Sequence, residues 1–319
     1  MAHPDPAAFL AASGIDHDRV RACIPLGDGT YNAVQRVERA GAPTLILKIA
    51  PNPAAPAMTY EKDLLSTEAE FYRVAGRQVP VPHPVWSGRV DDFSALLMTE
   101  LPGRSWHSVD KMIDSGESRT LRHDLGRMVG GLHQVTGAGF GYPQFGLRRS
   151  WAEAFVAMTD AVLGDAERYE VSLPRPVDDL RQLVKDAEWA LAEVREPVLV
   201  HFDLWPGNIL VVIEPSPCLS GIVDAERAFW GDPLAELASL GLFGKAEEDA
   251  DLVAGYTGAG GVIGDDKASN LRLSLYRAYL YMIMTIEAVP RGNTGPEHEE
   301  FRLLIERHLR AELQAAEAG

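Results

Sequence analysis

Residues 198–224 interrupt an otherwise helical C-terminal half with a short run of β-forming sequence, and this interruption constrains the fold more than any other feature. The run reads as an apolar strand into His201-Phe202-Asp203, a turn at LWPGN, a strand NILVVI, a proline-rich turn EPSPCLSG and a last strand GIVD. Around it, apolar residues recur at helical spacing near 119–135, 150–169, 176–195, 232–256, 268–289 and 297–316. Upstream the pattern differs. Residues 22–50 alternate turn residues with β-rich stretches and end in TLILKIA; a helix follows at 61–76, then the extended connector VPVPHPV and strands near 84–88 and 94–99, closed by LPG at 101–103. The expectation is an α+β chain in two lobes: a small β-rich N-lobe with one helix, residues 1–102, and a larger, mostly helical C-lobe, residues 103–319.

The β run brings polar groups together. If 208–213 and 221–224 pair antiparallel about residue 216, Asn208 and Asp224 face each other at the open end of the hairpin, beside the loop carrying Asp203. Two carboxylates and a carboxamide there make an oxygen-rich site suited to Mg²⁺. The bland alternative makes LWPGN a simple turn and Asp224 a helix N-cap. In the N-lobe, Lys48 lies in the apolar run LILKIA, where a buried ammonium needs a carboxylate or phosphate partner. With 100° per residue and Leu65 at zero, Glu68 falls inside the apolar face of the 61–76 helix, whereas Glu70 points away and Glu61 sits in the first turn. Lys48 and Glu68 are therefore the expected ion pair. Gly27 and Gly29 could turn over phosphates through backbone N–H groups, although a plain hairpin turn uses the same residues. Asp232-Pro233 reads as a helix start.

The spacing from Asp203 to Asn208, with a further aspartate downstream, is that of a kinase catalytic loop. LVHFDLWPGNILV (199–211) followed by GIVDAERAFWGDPLAEL (221–237) resembles the aminoglycoside phosphotransferase and fructosamine-kinase superfamily. That resemblance implies a protein-kinase-like fold and phosphoryl transfer from ATP, or GTP, to a hydroxyl of a small hydroxylated molecule: an aminoglycoside, amino sugar, ketosamine or related natural product. It implies Asp203 as the catalytic base, Asn208 and Asp224 as Mg²⁺ ligands, Lys48 on the nucleotide phosphates with Glu68 behind it, and a hinge of Met98, Glu100 and Leu101 against the base. His201 would brace the loop. Phe202 stands where the family usually has glycine, and Ala225-Glu226 departs from the DFG of protein kinases. The competing readings are a non-catalytic kinase-like nucleotide-binding module and a metal-dependent hydrolase using His201 and Asp203.

Composition narrows the partners. Thirty Lys and Arg against 46 Asp and Glu give a net charge of −16, which repels nucleic-acid phosphates. Most of the excess lies beyond Pro102, which suits an amine-bearing acceptor; Glu153, Asp160 and Glu287 are candidate ammonium contacts. Cys23 and Cys218 form no metal or redox spacing and fit a reducing cytoplasm. The N-terminal sequence lacks a signal-peptide pattern, and AYLYMIMTI at 278–286 is too short to span a bilayer. The expectation is a cytoplasmic protein without nucleic-acid or membrane partners.

Overall fold

The computed structural model describes residues 5–27 and 31–319. The N-terminal part begins with helix α1 (Pro6–Ala12) and builds a five-stranded antiparallel sheet from β1 (Val20–Leu26), β2 (Ala33–Arg39), β3 (Leu45–Ile49), β4 (Pro84–Val90) and β5 (Phe93–Thr99), in spatial order β1-β2-β3-β5-β4. Helix α2 (Leu64–Ala75) interrupts the strand series between β3 and β4. Strand periodicity explains why both faces of this sheet are buried. Leu45, Leu47 and Ile49 of β3, with Ala95 and Leu97 of β5, pack against Phe9 and Leu10 of α1. Leu96 and Met98 point the other way, and so does Lys48, onto the face covered by α2.

The C-terminal part holds β6 (Arg104–Ser105), α3 (Trp106–Val109), α4 (Ser115–Leu132), α5 (Trp151–Arg168), α6 (Val177–Asp186) and α7 (Glu188–Leu191). It continues through β7 (Val198–Val200), β8 (Ile209–Val212), β9 (Cys218–Ile222) and β10 (Phe229–Gly231) to α8 (Glu236–Leu240), α9 (Ala250–Gly258), α10 (Lys267–Glu287) and α11 (Glu299–Ala318). The β run is thus embedded in helices, as β6-β8-β9 and β7-β10. The architecture is the expected α+β, kinase-like arrangement. Among the described residues no helix is long and apolar enough to cross a membrane.

Three expected helices differ, the one over 176–195 by a break at Ala187 that divides it into α6 and α7. The helix expected over 232–256 is two, α8 and α9, because the chain turns at Gly241 and Phe243 takes a left-handed φ of 62° before Asp249 caps α9. The helix expected from residue 61 starts at Leu64, because Asp63 is left-handed at φ 52° and breaks the helical path. Glu61 is therefore not a first-turn carboxylate. It accepts from the backbone N–H of Met58 at 2.7 Å and from Arg291 at 2.5 Å.

The core divides unevenly. Met58, Tyr60 and most of α2 belong to the same buried cluster as the C-terminal helices, whereas α1 and the outer face of the sheet form a second, smaller one. Thr59 bonds Asp165 of α5 through both its N–H and its hydroxyl, and the Ala57 carbonyl accepts from Arg168 and Tyr169. The segment before α2 is thereby fastened to the helical body. Just past LP, Gly103 takes φ +101°, and a Cβ there would lie 2.6 Å from the Val211 carbonyl, so only glycine lets β6 run this close to β8.

Candidate active site

The loop after β7 is held from beneath by one carboxylate. Glu236, fully buried in the first turn of α8, accepts the backbone N–H groups of His201 at 2.7 Å and Phe202 at 2.9 Å. Burial would raise its pKa, but the approach of His133 and His201 and the N–H donors hold it below the usual carboxylate value. The His201 ring donates from Nε2 to the Val223 carbonyl at 3.0 Å and accepts the Asp203 N–H at Nδ1 at 3.2 Å, a pairing that assigns the neutral Nε2-H tautomer. Burial lowers its pKa in agreement. His201 is thus bonded within the protein on both nitrogens, as a brace.

Phe202 carries φ 61°, the left-handed region that favours glycine. Its ring does not crowd Asp203. It packs downward against Phe229 and Tyr279, with centroids 5.1 and 5.8 Å away, and is 1% exposed. Burial of a phenyl ring, worth about 2–3 kcal/mol, outweighs the roughly 1–2 kcal/mol of backbone strain.

Asp203 follows, and Asn208 Nδ2 donates both to its carbonyl at 2.9 Å and to its carboxylate at 3.1 Å. Burial pushes the Asp203 carboxyl up to about 7, with Arg227 opposing and Asp224 and Glu287 adding to the shift. The hairpin register is displaced from expectation, by one where Ile209 pairs with Ile222 and Leu210 with Gly221, and by two nearer the turn, where Val211 pairs with Leu219. The turn is centred on residue 215 rather than 216, and Ser220, the extra residue of a bulge beside Gly221, restores only part of that displacement, so the Asn208 carbonyl accepts from Val223 rather than facing Asp224. Asp224 reaches the site by leaving the strand at φ 67°. Its side chain makes no cap bond to the following turn, which removes the helix-cap alternative.

Asp224 meets Lys48 instead. Lys48 Nζ donates to Asp224 Oδ1 at 2.5 Å and to Glu68 at 2.8 and 3.0 Å. Glu68 is fully buried and Glu70 exposed, as the helical phase requires. Tyr72, one turn on, donates its hydroxyl to Glu68 at 2.6 Å and accepts the Asp224 N–H at 2.9 Å, tying α2 to the end of β9. Burial works against the Lys48 ammonium, but Asp224 and Glu68 outweigh it and raise its pKa; Lys48 in turn holds Asp224 low against burial.

Glu226 was missed in the sequence. It is 8% exposed, accepts from Asn32 at 2.6 Å, and offers an oxygen within 4.8 Å of those of Glu68 and Asp224. Burial, then Asp224, pushes it to about 8. The Asp-x-Glu spacing of 224–226 was the available signal. The donor set suits Mg²⁺: Asn208 commits its amide N–H₂ to Asp203, leaving its carbonyl oxygen, and every other donor is a carboxylate.

Among the described residues, the other expected ones make none of these contacts. Gly27 occupies an exposed turn, and Gly29 falls outside the described residues. Met98 is buried in β5, two residues beyond the Leu96 that pairs with Lys48. The Glu100 carboxylate is taken by Arg36 at 2.6 Å, and Leu101 approaches Gly221. Of the three candidate ammonium contacts, Glu153 and Asp160 are exposed, with Asp160 3.4 Å from Arg181. Glu287 is buried but bonded by Arg227 at 3.0 and 2.9 Å.

Known proteins share this scaffold. A profile of the phosphotransferase enzyme family, APH, matches residues 22–271, and the chain belongs to that family. The fold resembles that of a candidate fructosamine-3-kinase from Thermobifida fusca, at 21% identity and TM-score 0.67 over 95% of this chain and 98% of that one. It also resembles macrolide 2'-phosphotransferase type I, at 17% identity and TM-score 0.58 over 97% and 99%. APH(2'')-IIa in its ternary complex with streptomycin and ATP is similar at 13% identity and TM-score 0.57 over 98% and 97%. A comparison with curated protein sequences returns no match.

Proposed function

We propose that this phosphotransferase moves the γ-phosphoryl group of ATP, with GTP as the alternative donor, to a hydroxyl of a small molecule such as an amino sugar, ketosamine or related natural product. One observation carries the reading: Asp203 and Asn208 on one loop adjoin a lysine that bridges the N-lobe Glu68 and the C-lobe Asp224.

Each side chain has a distinct part. Asp203, anchored through Asn208, accepts the proton of the incoming hydroxyl. A carboxyl poised near neutral pH suits that task, because the base must be free before transfer and able to hold a proton after it. Lys48, fixed by Glu68, offers positive charge to the nucleotide phosphates, and in a loose, anionic transition state such fixed charge lowers the barrier without reorganisation. Asn208, Asp224 and Glu226 would hold Mg²⁺, which when bound screens the phosphate charges. Glu236 and His201 keep the loop in place. Because the Glu287 charge is offset by Arg227, the acceptor is taken to be recognised through its hydroxyls rather than an ammonium group.

The test is incubation with Mg-ATP and a panel of aminoglycosides, amino sugars, ketosamines and neutral sugars, followed by mass spectrometry, with Asp203→Asn alongside. A product heavier by one phosphoryl group with wild type, and a loss of about 10²-fold or more in turnover with the variant at unchanged ATP affinity, is expected. Equal turnover by Asp203→Asn would refute the assigned base.

A further inference from the structure

Phosphoryl transfer does not by itself account for a buried polar cluster where the N-lobe hairpin meets the end of α10. Arg291, in the turn between α10 and α11, donates to Glu61 at 2.5 Å and lies 3.1 Å from Glu287. Its guanidinium lies over the Tyr31 ring, 4.9 Å from the centroid. One residue further on, Asn32 Nδ2 donates to Glu226 at 2.6 Å, with both residues 8% exposed. Two separate parts of the C-lobe thus grip two consecutive residues of the N-lobe.

The place they grip matters. Tyr31 and Asn32 immediately precede β2, and Val34 of β2 pairs with Lys48 on β3. Glu226 is two residues beyond Asp224, the other partner of that lysine. Asn32 and Glu226 therefore close a bridge over the Lys48–Asp224 contact, and Arg291 holds the outer end of the same segment. Buried ion pairs contribute little net stability once desolvation is included, but they fix geometry, because each partner is strongly penalised when left alone. A planar guanidinium that stacks on an aromatic face while bonding a carboxylate fixes direction as well as distance.

We propose that Arg291, stacked on Tyr31, and Asn32, bonded to Glu226, are positioning residues that dock the Tyr31–Asn32 segment onto the C-lobe and hold the start of β2 in place beside the phosphate side of the nucleotide site. The nucleotide part of this inference rests on the function proposed above; the docking does not. A kinase whose second strand is fastened at its start in this way orders its phosphate site through the C-lobe, so a change in the α10–α11 connector alters nucleotide affinity from a distance.

Hydrogen exchange on the nucleotide-free protein and calorimetry with Mg-ATP test it, using wild type, Arg291→Ala, Arg291→Lys and Asn32→Ala. Backbone amides of 32–39 should exchange about tenfold faster in Arg291→Ala and in Asn32→Ala, while those of β4 and β5 are unchanged, and Mg-ATP should bind about tenfold more weakly. Arg291→Lys should recover part of both, since an ammonium reaches Glu61 but cannot lay a plane on Tyr31; this variant and Asn32→Ala carry the test if Arg291→Ala fails to fold. Exchange and affinity within twofold of wild type in all variants would overturn the proposal. If wild type binds no nucleotide, the functional reading and the nucleotide half of this one fail together, and the exchange rates still decide the docking.

Discussion

Lys48 Nζ stands 2.5 Å from Asp224 Oδ1 although 176 residues separate them, and the same nitrogen is held by Glu68 at 2.8 Å. One ammonium thus offsets two carboxylates, with Glu226 close by as a third. Replacing it with methionine keeps most of the volume and leaves the acids unpaired. Lys48→Met should cost about 3–5 kcal/mol at pH 8, the penalty of stranding buried charge. The loss should shrink at pH 5, where the stranded carboxylates can take up protons. Urea denaturation at the two pH values measures it, and a loss below about 1 kcal/mol at pH 8 would mean that water already solvates the cluster.

Asp203 sets up the opposite balance, because burial raises its carboxyl to about 7 from 3.8. Between those values the folded protein binds more protons than the unfolded chain, so this group makes stability fall as pH rises towards 7 and adds no further change above it. Asn cannot ionise. In EDTA, Asp203→Asn should match wild type near pH 4 and exceed it by about 1–3 kcal/mol at pH 8, even as turnover is lost. Equal denaturation midpoints at pH 8 would show that the carboxylate is ionised without penalty in the fold.

What the sequence made legible was whatever local periodicity controls. Strand alternation sends Lys48 to the face opposite Leu47, helical phase buries Glu68 and exposes Glu70, and a five-residue step on one tight loop links Asp203 to Asn208. Contacts closed over long distances were not legible. The turn centred on residue 215 and the bulge at Ser220 together leave the hairpin one residue from the expected register at the site, which no count of intervening residues reveals. Glu226 is buried by its contact with Asn32, 194 residues away, and Glu61 leaves the helix because Asp63 adopts a left-handed backbone. Nor does a residue letter say which way the left-handed φ at Phe202 aims its side chain.

Glu236 is the residue on which the loop most depends, although it touches neither of the proposed substrates. Its two oxygens accept N–H groups from His201 and Phe202, and Ser239 adds a third bond at 3.1 Å. Glutamine has the same shape but one acceptor oxygen, so Glu236→Gln turns one accepting position into a donor facing an N–H. A cost of about 2–4 kcal/mol is expected, since an unsatisfied buried donor and a lost charge-assisted bond combine. The pH dependence identifies the cause. Because the folded pKa of Glu236 is depressed below 4.5, its stabilisation is present above that value and is lost as pH falls through the lower, folded one. Wild type and variant should therefore differ most at pH 7 and converge at the acid end, as followed by urea denaturation. A difference that stays constant into acid would show that Glu236 acts through packing alone. Turnover by Glu236→Gln should fall together with stability, because an unanchored His201-Phe202 pair lets Asp203 drift from the acceptor hydroxyl.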